Sequence, residues 1–240
     1  MNEEQIRPVT TARENAPAAE SEANRKKQKK DNPFSPGGFC GTAYTLLHDV
    51  VMILSLVALL FIFATRLVGV SGSSMYPTLV GGSESDGTVG DYLILESNLI
   101  AGDYHYGDIV VASVPEFQNG KPIVKRVIAT GGQTISFHRD SDGILRVSVD
   151  GVVLEEPYIR ENMEETGLGQ DGEELTVPDD CFFLMGDNRN NSSDSRFDGI
   201  GFVDRRYIVG RALMVVYPGE DALKGYARQW SRFGAISDGR

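Results

Sequence analysis

The sequence is poor in the residues on which several common kinds of site depend. It has two cysteines, Cys40 and Cys181, and three histidines in 240 residues. Two cysteines so far apart exclude a fold held together by a set of disulfide bonds. The chain has no His-Glu-x-x-His pair, no Cys/His ligand set and no Walker loop, so we expect neither metal nor phosphate chemistry, and no cofactor. The formal net charge of −11 argues against a nucleic-acid partner, which requires a basic face.

Charge is also missing from one long stretch. Residues 50–64, VVMILSLVALLFIFA, contain no charged side chain. With its apolar flanks the segment exceeds the roughly 20 helical residues that span a bilayer, and we predict a transmembrane helix over residues 43–70. One alternative is a buried core helix, which usually shows a polar stripe. Another is a cleaved signal peptide, which starts nearer the N-terminus and is followed by a small-residue cleavage site.

The charge differs on the two sides of this segment. Residues 1–40 have a net charge of +1, with five of their seven bases between residues 25 and 30, whereas residues 71–240 have a net charge of −12. The positive-inside rule places the N-terminus in the cytoplasm and the acidic part outside. We interpret the basic cluster as a topology signal in preference to a specific lipid or nucleic-acid site. Residues 1–42 have few large apolar side chains, which predicts a disordered cytoplasmic segment.

After residue 70 the pattern changes to short runs of Val, Ile and aromatic residues separated by Gly, Asp, Asn and Pro. Such runs predict strands, and we place them at residues 91–96, 108–114, 122–130, 134–138, 144–154, 181–185 and 207–217. Asp150-Gly151 is a strong hairpin signal. The pattern predicts a mainly β, antiparallel domain over residues 71–218, with a small β-ribbon subdomain at about 133–184. For residues 219–240 we weigh an amphipathic, membrane-touching helix around 221–230 against a frayed end, and favour the frayed end.

Three polar segments interrupt this pattern: SGSSMYPTL at 71–79, IVKRVI at 123–128 and MGDNRNNSSDSR at 185–196. The first, taken alone, is typical of a turn. In the second, neighbours on a strand point to opposite faces, so Lys125 or Arg126 faces the buried side if that side is a core. A buried lysine tends to lose its proton. The alternative is an edge strand with both cations in water. The third segment suits a rigid hydrogen-bonded loop.

The possible types of catalytic nucleophile can be reduced by elimination. Outside the apolar segment the histidines are His105 and His138, neither of which flanks a nucleophile motif, and there is no Gly-x-Ser-x-Gly elbow. A serine activated by a desolvated lysine remains. Carboxylates in so acidic a domain raise a lysine pKa, so burial has to make the amine neutral. We therefore expect the lysine of such a pair to be dry.

These segments, in this order behind an apolar helix, resemble the boxes of bacterial type I signal peptidases. The matching stretches are Ser74–Leu79, Tyr106–Val110, Lys125-Arg126, Gly186–Arg196 and Val209–Ala212 with Pro218. The resemblance implies that Ser74 is the nucleophile and Lys125 the general base, and that Ser192 orients the amine. It assigns a supporting role to Asp187, Arg189, Asp194, Ser195 and Arg196. Gly72 stands where the best-studied Gram-negative members have a serine as second oxyanion donor, and so resembles the Gram-positive subgroup.

The resemblance also implies an activity. It is a membrane-anchored serine endopeptidase that cleaves signal peptides from secreted preproteins after small residues of Ala-x-Ala type, through an acyl-enzyme. Its partners would be those peptides, the lipid bilayer and a nearby translocon, in a bacterial cell membrane. Met75 is a candidate for lining the substrate pocket, with core packing as the alternative. Two other functions fit parts of the pattern: a repressor-type autoprotease, which lacks such an anchor, and a tethered β binding module, which has no need of Ser74 and Lys125.

Overall fold

The computed structural model describes residues 22, 24–26, 38–168, 172–225 and 227–236 of the chain. The chain divides into two compact units, Met1–Leu60 and Phe61–Arg240. The expected disordered segment, residues 1–42, lies mostly outside the described residues, although Phe39 and the three residues after it are helical.

The apolar segment forms one helix, α1, over Phe39–Ala64. Its 26 residues are long and apolar enough to cross a membrane, and none of them is buried. The alternative of a buried core helix is therefore wrong. The helix begins four residues before the predicted start at residue 43, and it ends six residues before the predicted end at residue 70. Residues 65–69 leave the helix because they pair with a neighbouring strand, and Val70 packs into a core.

After α1 the described chain is built from short strands. In chain order they are β1 Thr65–Gly69, β2 Tyr92–Ser97, β3 Ile109–Ala112, β4 Ile123–Thr130, β5 Thr134–Arg139, β6 Leu145–Val149, β7 Val152–Val153, β8 Glu174–Thr176, β9 Cys181–Met185, β10 Val203–Asp204, β11 Ile208–Tyr217, β12 Glu220–Asp221, β13 Ala227–Arg228 and β14 Gly234–Ala235. Single turns of 3-10 helix occupy Gln118–Gly120, Arg189–Asn191, Arg205–Tyr207, Ala222–Lys224 and Trp230–Arg232. The prediction of a mainly β, antiparallel fold behind one apolar helix is confirmed.

The main sheet has the order β1-β2-β11-β3-β4-β9-β10, with β14 added on β11. Neighbouring strands run antiparallel, and β4 lies between β3 and β9. Strand β4 is therefore not an edge strand, and Val127, Ile128 and Ala129 on it are fully buried. Three consecutive buried residues mean that the sheet is covered on both faces at this point.

A second sheet, β7-β6-β5-β8, is inserted between β4 and β9. The turn between β6 and β7 has Asp150 at φ 52° and Gly151 at φ 76°. Two positive φ values in a two-residue turn are the type I′ geometry that Asp-Gly favours, so the hairpin prediction is confirmed. Val149 pairs with Val152 across this turn.

The C-terminal segment is folded against the main sheet. Strands β12 and β13 pair with each other, and β14 pairs with β11. For the described residues, both the amphipathic helix and the frayed end are therefore wrong. The reason is local pairing: Arg228 bridges to Glu220 across β12 and β13, and Ile236 packs against an apolar cluster of the sheet.

Candidate active site

Ser74 lies on the loop from Val70 to Val80, between β1 and β2. Met75 and Leu79 anchor this loop because both side chains are buried in an apolar cluster beneath the sheet. Two turns shape it: Tyr76 N–H donates to Ser73 O at 3.1 Å, and Leu79 N–H donates to Met75 O at 2.9 Å. The Ser74 side chain is left half-buried.

Lys125 lies on β4 and reaches Ser74. Its Nζ is 2.8 Å from Ser74 Oγ and 2.9 Å from Val124 O. The residue is 3% exposed. Neither neighbour carries a charge, so among the residues that the structure describes the buried amine has no carboxylate in direct contact.

Burial lowers the pKa of Lys125 from 10.5 to about 8. Asp194 and Asp187 act in the opposite direction through their charge, while Arg196 adds to the lowering. Desolvation prevails because those two carboxylates are themselves paired: Asp194 with Arg196, and Asp187 with Arg126. The burial of Lys125 and the pairing of both carboxylates agree with the expectation of a dry lysine in an acidic domain.

The loop after β9 holds the nucleophile loop from the other side. Asn188 N–H donates to Ser74 O at 3.0 Å, and its side-chain Nδ2 donates to Ser73 O at 3.0 Å. Asn191 Nδ2 donates to Ser73 Oγ at 2.8 Å. A β-carbon on Gly186 would lie 2.5 Å from Ser74 O and would also meet the hydroxyl of Ser192, so only glycine allows this approach.

Asp194, Ser195 and Arg196 fix that loop to the sheet. Asp194 Oδ2 accepts from Gly186 N–H at 3.0 Å, and Arg196 Nε donates to Asp194 Oδ1 at 2.8 Å. Burial would raise the pKa of Asp194, but the hydrogen bonds and charge of Arg196, with the Gly186 N–H, lower it below its usual range. Ser195 exchanges hydrogen bonds with the backbone of Leu184.

Asp187 joins three elements of the site. Arg126 Nε and Nη2 bind its carboxylate at 2.9 and 2.7 Å, with both side chains fully buried. Thr78 Oγ1 on the nucleophile loop donates to Asp187 Oδ2 at 2.5 Å. The loop of Ser74, strand β4 and the loop after β9 therefore share one hydrogen-bonded centre.

Sequence reasoning missed two contributors from the predicted β-ribbon subdomain at about 133–184, Glu156 and Tyr158. The guanidinium of Arg126 lies 3.9 Å from the ring centre of Tyr158, and Arg189 pairs with Glu156 at 2.5 Å. Burial, with the charge of Glu156, raises the pKa of Tyr158, so the phenol stays neutral. Tyr158 covers Arg126 on β4, and Glu156 holds Arg189 in the loop after β9. The local sequence carries no signal for this, since a tyrosine and a glutamate in a loop are ordinary surface residues.

Three of the predicted site residues make no contact that supports the role expected of them. Met75 is 1% exposed and packs in the core, so its side chain does not line an open pocket. The Ser192 hydroxyl is buried and, within the described residues, has no hydrogen-bond partner of good geometry, although it lies near enough to Asp194 to help lower the pKa of that carboxyl. Gly72 is exposed at φ 74°. Among the residues that the structure covers, no group of three or more His, Cys, Asp or Glu is placed to hold a metal ion.

Comparison with known proteins identifies the family of the chain. The profile described as "Signal peptidase, peptidase S26" matches residues 43–217. Signal peptidase I U of Bacillus subtilis is 34% identical over 178 residues, covering 70% of this chain and 87% of that protein. Probable signal peptidase I-1 of Synechocystis is 33% identical over 199 residues, covering 78% of this chain and 84% of that protein. A crystal structure of a signal peptidase I from Enterococcus faecalis is 29% identical and covers 46% of this chain and 97% of that one, with a TM-score of 0.36. The chain belongs to the type I signal peptidase family of serine proteases, which cleave signal peptides from preproteins.

Proposed function

We propose that this protein is a membrane-anchored endopeptidase that removes signal peptides after small residues of Ala-x-Ala type, with Ser74 as nucleophile and Lys125 as general base. The observation that carries the proposal is the 2.8 Å distance between Ser74 Oγ and an amine that is 3% exposed. A serine hydroxyl is a weak nucleophile until a neighbouring base takes its proton, and a lysine is a base only when neutral.

The reaction follows from these two groups. Neutral Lys125 takes the proton from Ser74 Oγ as the oxygen attacks the carbonyl carbon of the scissile bond. The resulting ammonium then gives that proton to the leaving amine, and the mature protein departs from the acyl-enzyme. Lys125 next takes a proton from water, which attacks the ester carbonyl, and the released Ser74 Oγ recovers a proton from the ammonium.

The negative oxygen of the tetrahedral intermediate requires a hydrogen-bond donor. We assign one donor to the N–H of Ser74. Asn188 supports this role because its two bonds, to Ser74 O and Ser73 O, set the orientation of the backbone there. Gly72 has no side chain to act as second donor. We assign to Ser192 the task of orienting the amine of Lys125, because its buried hydroxyl makes no well-formed bond to another group in the described structure.

Helix α1 supports the membrane anchor, since its 26 residues extend about 39 Å at 1.5 Å per residue. The five bases between residues 25 and 30 favour a cytoplasmic N-terminus and a catalytic domain, residues 71–218, on the outer side of a bacterial membrane. Signal peptides emerge from the translocon as apolar segments with their cleavage site at the outer surface. An enzyme tethered there by a short link meets its substrate where it appears.

The proposal is tested with membranes that carry the full-length protein and a preprotein with an Ala-x-Ala site. We expect processing by the wild type and none by Ser74→Ala or Lys125→Met. Ser71→Ala and Lys121→Met are matched controls, because they remove an exposed serine from the same loop and an exposed lysine just before β4. Cleavage by either active-site variant at the wild-type rate would contradict the residue assignment. In a second preprotein, the Ala just before the cleavage site (position −1) is replaced by a large residue. If the wild type still cleaves this preprotein, the assigned specificity is contradicted.

A further inference from the structure

One buried aspartate, Asp91, closes the base of the loop that carries Ser74. Val70 N–H donates to Asp91 O at 2.8 Å, and Asp91 N–H donates to Val80 O at 2.8 Å. The carboxylate adds a third bond, since its Oδ2 accepts from Val80 N–H at 2.8 Å. Val70 and Val80 are the two ends of the loop, so Asp91 fixes the separation between them. Its side chain is fully buried.

The cation that faces Asp91 comes from the C-terminal segment. Arg232 Nη1 and Nη2 lie 3.2 and 2.7 Å from the two oxygens of Asp91. The same Nη2 donates to Thr78 O at 2.8 Å. Thr78 follows Ser74 by four residues, and its hydroxyl binds Asp187. One guanidinium therefore connects the base of the loop to the limb that leads from Ser74. A planar fork of donors suits such multiple bonding, which a lysine cannot reproduce.

The segment that bears Arg232 is itself held on both sides. Gly219 N–H donates to Asp91 Oδ1 at 2.7 Å before the segment turns away. After Arg232, β14 pairs with β11, and Ile236 packs against the cluster that contains Met75 and Leu79. Arg232 is 16% exposed at its side chain. The side chain is therefore held in place, and its partners are Thr78 on the nucleophile loop and Asp91, which closes the base of that loop.

We propose that Arg232 is a positioning residue for the peptidase reaction: by binding Asp91 and Thr78 O, it keeps Ser74 Oγ within hydrogen-bonding distance of Lys125. It lies beyond residues 43–217, the span that matches the family profile, so the support comes from a part of the chain outside the shared segment. This inference rests on the proposed roles of Ser74 and Lys125. Arg232 touches neither reacting group and acts through the backbone of the loop.

Two consequences separate positioning from simple stabilisation. A nucleophile displaced by about 1 Å can lose up to about 100-fold in rate while the substrate still binds, so kcat falls and KM does not. A loop that moves away also lets water reach Lys125. The charges that face this amine, Asp194, Asp187 and Arg196, stay in place, so rehydration alone moves its titration toward that of a free lysine.

The test compares Arg232→Met, Arg232→Lys and Arg228→Met in the full-length protein, with the wild type. Arg228→Met is the matched control, because Arg228 forms an ion pair with Glu220 in the same segment but does not contact the nucleophile loop. Processing of an Ala-x-Ala preprotein is measured from pH 6 to pH 10, per molecule of folded enzyme. Arg232→Lys keeps a cation beside Asp91 and serves if Arg232→Met does not fold.

We expect Arg232→Met to lower kcat at least tenfold with KM unchanged, and to move the rise of activity to higher pH. Arg232→Lys should recover part of the rate, and Arg228→Met should match the wild type. Wild-type kcat and pH dependence in folded Arg232→Met, or in Arg232→Lys if only that variant folds, would overturn the inference. A wild type that does not cleave the preprotein would instead overturn the proposed function, so the two failures are distinct.

Discussion

Replacing Lys125 by methionine should make the protein more stable while it removes activity. Lys125 is 3% exposed, and burial lowers its pKa from 10.5 to about 8. A tenfold change in a protonation equilibrium corresponds to about 1.4 kcal/mol, so holding the protonated amine in the fold costs roughly 3 kcal/mol. Methionine has a similar length and carries no charge. It gives up the contacts to Ser74 Oγ and Val124 O, and a lost hydrogen bond of this kind costs about 1 kcal/mol.

The pH dependence gives this prediction its sign. The pKa of Lys125 is lower in the folded state than in the unfolded state, so the unfolded chain binds more protons between about pH 8 and pH 10.5. Stability of the wild type therefore rises with pH across this window. Below pH 8 both states are protonated and the full penalty applies. Above 10.5 both are neutral and the penalty is gone.

The two lost bonds offset about 2 of the roughly 3 kcal/mol, so we expect Lys125→Met to exceed the wild type by about 1 kcal/mol in free energy of unfolding at pH 6.5. The advantage should shrink through pH 9 and vanish or reverse by pH 10.5. Other titrating groups are common to both proteins and cancel in the difference. The measurement is urea unfolding of the full-length protein in detergent micelles, followed by near-ultraviolet circular dichroism of the β domain.

Ser74→Ala is the matched control, because it abolishes the reaction and leaves the amine in place. Its stability difference from the wild type should stay constant between pH 6.5 and pH 10.5. A Lys125→Met variant that is less stable than the wild type at pH 6.5, or whose difference does not change with pH, would refute the reasoning. That result would mean that the amine is hydrated or charge-paired in the fold.

Three further predictions concern the same centre. The value of kcat/KM should rise with pH through an inflection near 8, because free enzyme requires neutral Lys125, and rates measured at low substrate from pH 6 to 10 test this. Gly186→Ala should lower activity at least tenfold, because its β-carbon would meet Ser74 O at 2.5 Å; wild-type processing by this variant would contradict the close approach. Asp187→Asn should cost about 3–5 kcal/mol in urea unfolding, because it removes the buried carboxylate that faces Arg126; a cost under 1 kcal/mol would contradict that pairing.

The strands could be predicted because their signals are local. Runs of Val, Ile and aromatic residues between turn residues predict β2, β4 and β9 within one or two residues, and Asp150-Gly151 predicts the β6–β7 turn. The short strands β8, β10 and β14 carry no such signal. They form because longer strands offer them free edges, and pairing of two or three residues depends on tertiary structure more than on propensity.

The site also has a part that local sequence predicts and a part that it does not. Alternation along a strand predicts that Lys125 and Arg126 point to opposite faces, and it leaves open whether both faces are covered. Both are, because Tyr158 from the inserted ribbon lies over Arg126. The contact between Arg232 and Asp91 spans 141 residues, and nothing near either position indicates it. Contacts of this separation depend on the whole topology, which local patterns do not encode.

The inserted sheet has a practical consequence for engineering this enzyme. Strands β4 and β9 are neighbours, yet the chain between them leaves the main sheet and returns. This inserted segment contacts the site through Glu156 and Tyr158. Its turn at residues 140–143 is exposed for most of its length. Exposed turns accept added residues at little thermodynamic cost. Ser141 is therefore a suitable position for a fluorophore or an affinity peptide. It is separated along the chain from every residue that holds the nucleophile.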